Sequence, residues 1–208
     1  MFVVDNGSDG IREYTLSTAF DISTASYDSI FSVHLQDTKP QSVAFNSDGT
    51  KMFVLGGSGT DRVYEYTLST GFDVSTASYV DSFSVASQET YPRNLEFNSD
   101  GTKTFIVGKD TDAILEYDLS TGFDVSTASY KGNASVNTNA SDPNGITFNH
   151  DGTKVFITTG AGTGTVIEYN LTSPFNVVDV NGEHTGDVID SSNTVSYTHL
   201  TLPTKRIV

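Results

Sequence analysis

The chain has 208 residues, of which 36% are hydrophobic and 11% aromatic, so it can form a packed core and does not have a disordered composition. Lys and Arg number 11 against 26 Asp and Glu, and the resulting net charge of −15 opposes binding to nucleic acid or to an anionic membrane surface. There is no cysteine, which excludes disulfides and thiolate metal sites, and no apolar run approaches the roughly 18 residues of a membrane-spanning helix.

The first residues match the interior of a longer pattern. The segment MFVV at residues 1–4 corresponds to MFVL at residues 52–55, and the match continues through REYTL at 12–16 against YEYTL at 64–68. We therefore expect Met1 to be an internal methionine, with any export signal or further repeat lying upstream.

A nine-residue motif organises the rest of the chain. It occupies residues 45–53, 97–105 and 148–156, and each copy carries Asp-Gly-Thr-Lys at the same offset. The copies are 52 and 51 positions apart, a period that is typical of propellers, solenoids and other repeat arrays. The sequence predicts one repeat domain over residues 1–194, with units at 1–51, 52–103, 104–154 and 155–194.

Each period contains four short strands separated by turn residues. In the third strand of the second period, Val63, Glu65 and Thr67 face one way and the residues between them face the other, which indicates one well-buried face. Residues 52–55 and 105–107 are continuous apolar runs, as expected of strands covered on both faces. An all-β fold of small sheets stacked face to face explains both patterns.

The Asp-Gly turn and one recurring glutamate have structural interpretations. Asp48 can accept hydrogen bonds from the backbone two residues on, and Gly49 supplies the positive φ that a tight hairpin needs. A glutamate recurs at one strand position in every unit, although a catalyst has no need of a copy in each, so we interpret it as a partner for the neighbouring sheet. Its copies are Glu13, Glu65, Glu116 and Glu168.

The pattern weakens towards the end of the chain. From Thr172 onward the fourth unit diverges from the others, although Pro-Phe-Asn-Val at 174–177 still matches Gly-Phe-Asp-Val at 122–125. The stretch VSYTHLTLPT at 195–204 closely resembles the translation of a sequencing adapter. We therefore predict that residues 195–208 are a non-native tail and leave them out of the functional interpretation.

The order of elements resembles the blade of YVTN-type β-propeller repeats. The matching features are Pro92 through Phe97, Asp-Gly-Thr at 100–102, the apolar run at 105–107 and the strand at 114–119, and equivalent matches cover nearly all of residues 1–171. The chain departs from the family in its Ser- and Thr-rich connector, which lengthens the period. The resemblance implies four-stranded antiparallel blades in an open arc of about three and a half, since propellers usually have four to eight.

Such an arc implies partners as well as a fold. Missing blades of the same chain are expected to complete it, and the chain alone is expected to expose strand edges and self-associate. In propellers of this kind, the connections between blades share one face with the loops between second and third strands, and the family tends to bind there. These loops differ between units, whereas the hairpins and connectors hardly do. Candidate ligand-binding residues on this face are Gln41, Arg93 and Asn144, which follow the repeated proline, and Tyr91.

A calcium site is a second possibility for the same face. Carboxylates spaced closely in Gly-rich loops can ligate Ca²⁺, and the candidates are Asp5, Asp9, Asp61, Asp110 and Asp112. The first loop fails the EF-hand pattern, with Gly7 at the third position and Leu16 where glutamate is required. Asp and Gly are also ordinary hairpin residues. No other cofactor is expected.

Two functions remain open. The acidic charge, the uniform repeats and the lack of a unique catalytic cluster favour a non-catalytic binding or structural module of an exported or surface protein, with a protein or carbohydrate ligand. The alternative is a lactonase-like or lyase-like propeller enzyme, which would need acidic residues specific to one unit in the central channel. The inner strands offer one, Glu96, where the other units have Ala44 and Thr147.

Overall fold

A computed structural model describes residues 1–57, 59–136, 140–160, 164–178 and 195–196. The first sheet contains β1 (Phe2–Asp5), β2 (Gly10–Leu16) and β3 (Ala25–Ser32). The second contains β4 (Pro40–Phe45), β5 (Lys51–Gly56), β6 (Arg62–Leu68) and β7 (Ala77–Ser84). The third contains β8 (Pro92–Phe97), β9 (Lys103–Gly108), β10 (Ala113–Leu119) and β11 (Ala128–Ser135). The fourth contains β12 (Pro143–Phe148), β13 (Lys154–Thr159), β14 (Thr165–Asn170) and β15 (Val195–Ser196).

All four sheets are antiparallel meanders, and they follow one another as the blades of an incomplete propeller. Successive blades meet along their inner strands, since β4 lies against β8 and β8 against β12. The first sheet has three strands, and its β1, which corresponds to β5 of the second sheet, lies against β4. The prediction of an all-β fold built from four-stranded propeller blades in an open arc is confirmed. None of the helical turns in the described part of the chain is long and apolar enough to span a membrane.

The recurring hairpin is held by its own side chains and by the connector of the same blade. Asp48 Oδ1 accepts hydrogen bonds from the Thr50 amide at 3.0 Å and from its hydroxyl at 2.6 Å. Gly49 has a φ of +71°, and a Cβ there would collide with the ring of Phe72. The backbone N–H of Phe72 in turn donates to the Gly49 carbonyl at 3.0 Å. The expected Asp-Gly turn is therefore confirmed, and it also anchors the connector.

Each connector contains a short 3₁₀ turn capped by an aspartate. The turns lie at Ile22–Thr24, Val74–Thr76 and Val125–Thr127, and in the second the Asp73 carboxylate accepts the Ser75 N–H at 3.0 Å. The first residue of the turn is fully buried in the second and third blades. The connector is thus part of the packing between blades and not merely a surface loop.

The hydrophobic core lies between the sheets. Phe53 of the second sheet packs with Leu95 and Leu115 of the third, and Phe105 of the third packs with Ile146 and Ile157 of the fourth. Apolar side chains on both faces of the central strands meet neighbouring blades, which explains the continuous apolar runs in the sequence.

The recurring strand glutamate bridges successive blades. In two cases its Oε2 accepts the N–H of the residue that begins the 3₁₀ turn of the next blade. In a third case it accepts the N–H of Val177, which occupies the corresponding position in the fourth blade. The pairs are Glu13 with Val74 at 3.0 Å, Glu65 with Val125 at 3.0 Å, and Glu116 with Val177 at 2.9 Å. The interpretation as partners for neighbouring sheets is confirmed for Glu13, Glu65 and Glu116, whereas Glu168 contacts Lys154 of its own sheet.

The division of residues 1–194 into four repeat units stays a prediction. Of the fourth unit, residues 179–194 lie outside the described residues, and so do residues 197–208 of the predicted non-native tail. Val195 and Ser196 pair with β14.

Candidate functional site

The variable loops of the chain gather on one side of the blades, which we call the loop face. It comprises the connections between blades, at residues 33–39, 85–91 and 140–142. It also comprises the loops between the second and third strands of a blade, at residues 57, 59–61 and 109–112. Backbone bonds join the two kinds of loop in three blades, from Gly57 N to Lys39 O at 3.0 Å, Lys109 N to Tyr91 O at 3.1 Å, and Gly160 N to Asp142 O at 2.9 Å.

Two buried carboxylates organise this face. Asp37 is 3% exposed, and it accepts the Lys39 N–H at 2.5 Å and the hydroxyl of Thr60. Glu89 is 1% exposed; its Oε1 accepts the N–H groups of Tyr91 at 2.7 Å and Asp110 at 3.1 Å. Its Oε2 accepts the N–H and the hydroxyl of Thr111 at 3.1 and 2.8 Å. These carboxylates satisfy loop backbone groups that would otherwise be buried without partners.

The third connection solves the same problem differently. It has Ala140 at the position of Asp37 and Glu89, so no carboxylate occupies that position. Instead, the Asp112 carboxylate of the neighbouring loop accepts the N–H of Asp142 at 2.8 Å. The sequence did carry a signal for this role, an acid three residues before the proline, but only in two of three units.

The four predicted ligand-binding residues lie on this face but do not converge. Gln41 donates from Nε2 to the Lys39 carbonyl at 3.1 Å, and Asn144 lies against Gly160, so both contact the loops of their own blades. Arg93 and Tyr91 form a pair, with the guanidinium carbon 4.5 Å from the centre of the tyrosine ring. Their role in ligand binding stays a prediction.

A third residue joins the pair of Arg93 and Tyr91. The Lys109 ammonium lies 5.9 Å from the centre of the same ring, so two cations and one aromatic side chain form what we call the cationic cluster. Arg93 Nε is buried and has no hydrogen-bond partner among the described residues. Neither cation forms an ion pair in the part of the chain that the structure describes. Lys109 was missed because its contact with Tyr91 joins two separate loops.

The calcium candidates are engaged in contacts within the loops. Asp5 binds Arg12 through Oδ2, at 2.6 Å from Nε and 2.5 Å from Nη2, and this hydrogen bonding lowers the pKa of Asp5. Asp9 lies 2.8 Å from Nδ1 of His34, and Asp110 accepts the hydroxyl of Thr90.

Asp9, Asp61 and Asp112 occupy the same position of their turns, and each has a left-handed backbone conformation, with φ values of 48°, 47° and 47°. Their carbonyls accept the N–H groups of Val33, Val85 and Val136, each at 2.8 Å. Of the five calcium candidates, Asp61 is the buried one. Burial raises the pKa of Asp61, and the nearby carboxylates of Glu89 and Asp37 raise it further. Within the described ranges, no group of three or more His, Cys, Asp or Glu is placed to hold a metal ion. Binding of Ca²⁺ stays a prediction that calorimetry would test.

Glu96 lies on the inner strand β8, at a cleft of about 480 Å³ that is also lined by Ala44, Phe45 and Phe97. Burial raises the pKa of Glu96 to about 6, while a hydrogen bond with Thr147 of the next inner strand acts in the opposite direction. A carboxyl group of this kind can exchange a proton near neutral pH. Glu96 is the one carboxyl group on the inner strands β4, β8 and β12.

A scan against protein-family models finds no match, and neither does a search of curated protein sequences. Solved structures do match in fold. A protein from Lactobacillus plantarum has a TM-score of 0.59 at 14% identity, over 88% of this chain and 49% of its own. A protein assigned as a 6-phosphogluconolactonase from Bacteroides fragilis has a TM-score of 0.58 at 12% identity, over 86% of this chain and 49% of its own.

The periplasmic gluconolactonase of Pseudomonas aeruginosa matches with a TM-score of 0.53 at 14% identity, over 81% of this chain and 46% of its own. This chain therefore spans about half the length of the structures it matches. At these identities the likeness establishes the β-propeller fold and no more.

Proposed function

We propose that the chain is a YVTN-type β-propeller segment that acts as a non-catalytic binding module of a larger exported or surface-associated protein. Its ligand is a protein or a carbohydrate that presents a carboxylate to the loop face. The missing blades of the propeller belong to the same longer chain, and residues 195–208 are foreign to it.

The cationic cluster is the observation that carries this proposal. In a chain with a net charge of −15, Arg93 and Lys109 share one partly exposed tyrosine ring and have no acidic partner among the described residues. A guanidinium binds carboxylates through two parallel hydrogen bonds, and the tyrosine provides a rigid apolar surface beside it. An acidic sugar or an acidic side chain would supply the charge that the cluster lacks.

The loop-face carboxylates support binding over catalysis because they are used in the scaffold. Glu89 accepts four hydrogen bonds from the surrounding loops, and Asp37 is enclosed in the same way. The oxygens of both carboxylates are thus engaged by groups of the loops themselves. These groups therefore shape the loops that present the cationic cluster.

Isothermal titration calorimetry with the 208-residue chain tests the proposal. Hexagalacturonate and a hexaglutamate peptide serve as acidic probes, and cellohexaose is the neutral counterpart. We expect heat from an acidic probe only, and at least a tenfold weaker affinity in Arg93→Gln, because a charge-assisted hydrogen bond contributes about 1.5–3 kcal/mol. The second blade has Gln41 at the position of Arg93, so glutamine is compatible with this position of the blade. Gln41→Asn is the matched control. Equal binding of Arg93→Gln and the unchanged chain would contradict the proposal.

A lactonase-like activity is the second candidate, and Glu96 is the observation that favours it. The matched structures include a gluconolactonase, and Glu96 has the elevated pKa of a group that can transfer protons. The lactonase activity is tested by measuring the hydrolysis of glucono-δ-lactone as the consumption of base in a pH-stat. Glu96→Thr installs the residue that the fourth blade carries at Thr147. Turnover by the unchanged chain that disappears in Glu96→Thr would establish the enzyme and replace the binding proposal.

A further inference from the structure

Successive blades are joined by one repeated contact, which we call the glutamate latch. A strand glutamate of one blade accepts the N–H that begins the 3₁₀ turn of the next, as Glu65 does with Val125 at 3.0 Å. Around the latch, three phenylalanines from the two blades come together, as Phe53, Phe97 and Phe123 do with ring centres 4.5 to 6.1 Å apart. The latch thus combines a charge-assisted hydrogen bond with apolar packing.

The first blade presents the hydrogen-bond donor half of a latch. Ile22 begins its 3₁₀ turn, and the Ile22 N–H has no hydrogen-bond partner among the described residues. The Ile22 side chain is 76% exposed, whereas Val74 and Val125 at the same position are fully buried. Phe20, equivalent to Phe123, is 100% exposed. An N–H donor and two apolar side chains are therefore displayed together at this end of the arc.

The fourth blade presents the acceptor half. Glu168 is held by Lys154 through Oε1, and its Oε2 accepts no hydrogen bond from the described residues. The Glu168 side chain is 26% exposed, whereas that of Glu116 is fully buried in its latch. Phe156, equivalent to Phe53, lies beside Glu168 in the register of the sheet. The two ends of one molecule therefore carry the two complementary halves of a contact that its interior makes three times.

We propose that two copies of the 208-residue chain, where no further blades are joined to it, associate head to tail through this latch, with the Glu168 carboxylate of one copy accepting the Ile22 N–H of the other. The interface repeats the contact between the strand glutamate and the 3₁₀ turn of the next blade. The first sheet has no counterpart of the inner strands β4, β8 and β12, so the phenylalanine equivalent to Phe97 is absent from this copy of the contact. Because the chain spans about half of the propellers it matches, two copies provide the arc of one ring. The contact is heterologous, joining unlike surfaces, and two such contacts close the pair. This inference does not depend on the ligand-binding proposal.

Charge opposes this association at long range. Each copy carries a net charge of −15, and the mutual repulsion is screened within about 8 Å at physiological ionic strength. The latch itself is short-ranged and largely apolar around one carboxylate, so it is weakened much less by salt. Dimerisation should therefore strengthen as NaCl rises from 20 to about 150 mM.

Sedimentation velocity of the 208-residue chain at about 150 mM NaCl is the test. We expect twice the monomer mass, and at least a tenfold weaker dimer in both variants. Ile22→Asp replaces an apolar contact with a carboxylate that repels Glu168, and Glu168→Gln removes the charge that strengthens the hydrogen bond to the Ile22 N–H. Leu35→Ser is the control, because Leu35 is 92% exposed but lies on the loop face. Far-UV circular dichroism confirms that each variant keeps its strand content.

Mixing the two weakened variants distinguishes a head-to-tail contact from a symmetric one. In a mixture of Ile22→Asp with Glu168→Gln, one of the two latches is formed by unaltered residues, so the mixed pair should dimerise more tightly than either variant alone. Pairing through a shared strand edge would give no such recovery. A folded chain that sediments as a monomer, or variants that dimerise as tightly as Leu35→Ser, would overturn the proposal.

Discussion

The substitution Glu116→Gln tests whether the glutamate latch stabilises the arc. Glu116 is fully buried, and its Oε1 binds the ammonium groups of Lys103 and Lys131, the latter at 3.0 Å. Its Oε2 accepts the N–H groups of Val177 at 2.9 Å and Val178 at 3.3 Å. Glutamine offers one oxygen and one NH₂ group, so it can satisfy either the lysines or the backbone, and its NH₂ faces donors on the other side.

The expected loss of unfolding free energy is about 3 kcal/mol. Removing one partner of a buried ion pair costs roughly 3–5 kcal/mol because the remaining charge is left uncompensated. We take the lower end, since Lys103 and Lys131 retain some exposure and can turn towards water. At roughly 2–4 °C per kcal/mol for a protein of this size, the melting temperature should fall by about 6–12 °C.

Glu168→Gln provides the matched control for this measurement. It makes the same chemical change at the equivalent position of the fourth blade, but the carboxylate is partly exposed and contacts Lys154 alone among the described residues. An exposed ion pair contributes about 0–1 kcal/mol, so this variant should unfold close to the unchanged chain. Urea titrations at a protein concentration below dimerisation measure both. Coinciding midpoints for the two variants would refute the argument that burial of the latch stabilises the arc.

Two further predictions concern the hairpin. Gly101→Ala should destabilise the chain by more than about 2 kcal/mol, because φ is +71° and the Cβ collides with the Phe123 ring. Gly164→Ala should cost only about 1 kcal/mol in the same urea titration, because φ is +63° but the Cβ would meet only the Thr159 carbonyl oxygen, at 3.9 Å. The hydrogen bonds from Thr102 lower the pKa of Asp100, so its contribution to stability is present above pH 3.8 and is lost as pH falls through the lower folded value. Asp100→Asn should therefore flatten part of the acid limb of a thermal-stability profile, and an unchanged limb would contradict this.

The blade could be predicted from the sequence because its signals are local. An Asp-Gly turn, the apolar runs of the central strands and a glutamate repeated in every unit each follow from a few neighbouring residues. The alternation on β6 was a weaker guide, because both faces of that strand are buried. The loop face could not be predicted in the same way. Asp37 and Glu89 lie in short polar connections that are typical of solvent-exposed segments. Their burial depends on donors in a loop about 20 residues further on, the Thr60 hydroxyl for Asp37 and the Thr111 N–H for Glu89. The contact of Lys109 with Tyr91 likewise requires the two loops to be placed together in space.

The paired loops of the third blade have a consequence for engineering. Residues 85–91 and 109–112 are held by one carboxylate, Glu89, whose oxygens bind backbone groups in both segments. If either segment alone were grafted into another blade, those N–H groups would lose their hydrogen-bond acceptor. The two segments grafted together would keep the Glu89 carboxylate with the N–H groups that it binds. In the fourth blade, the recipient would also have to give up the bond from Asp142 to Asp112. New specificities on this scaffold should therefore be built by exchanging loops two at a time.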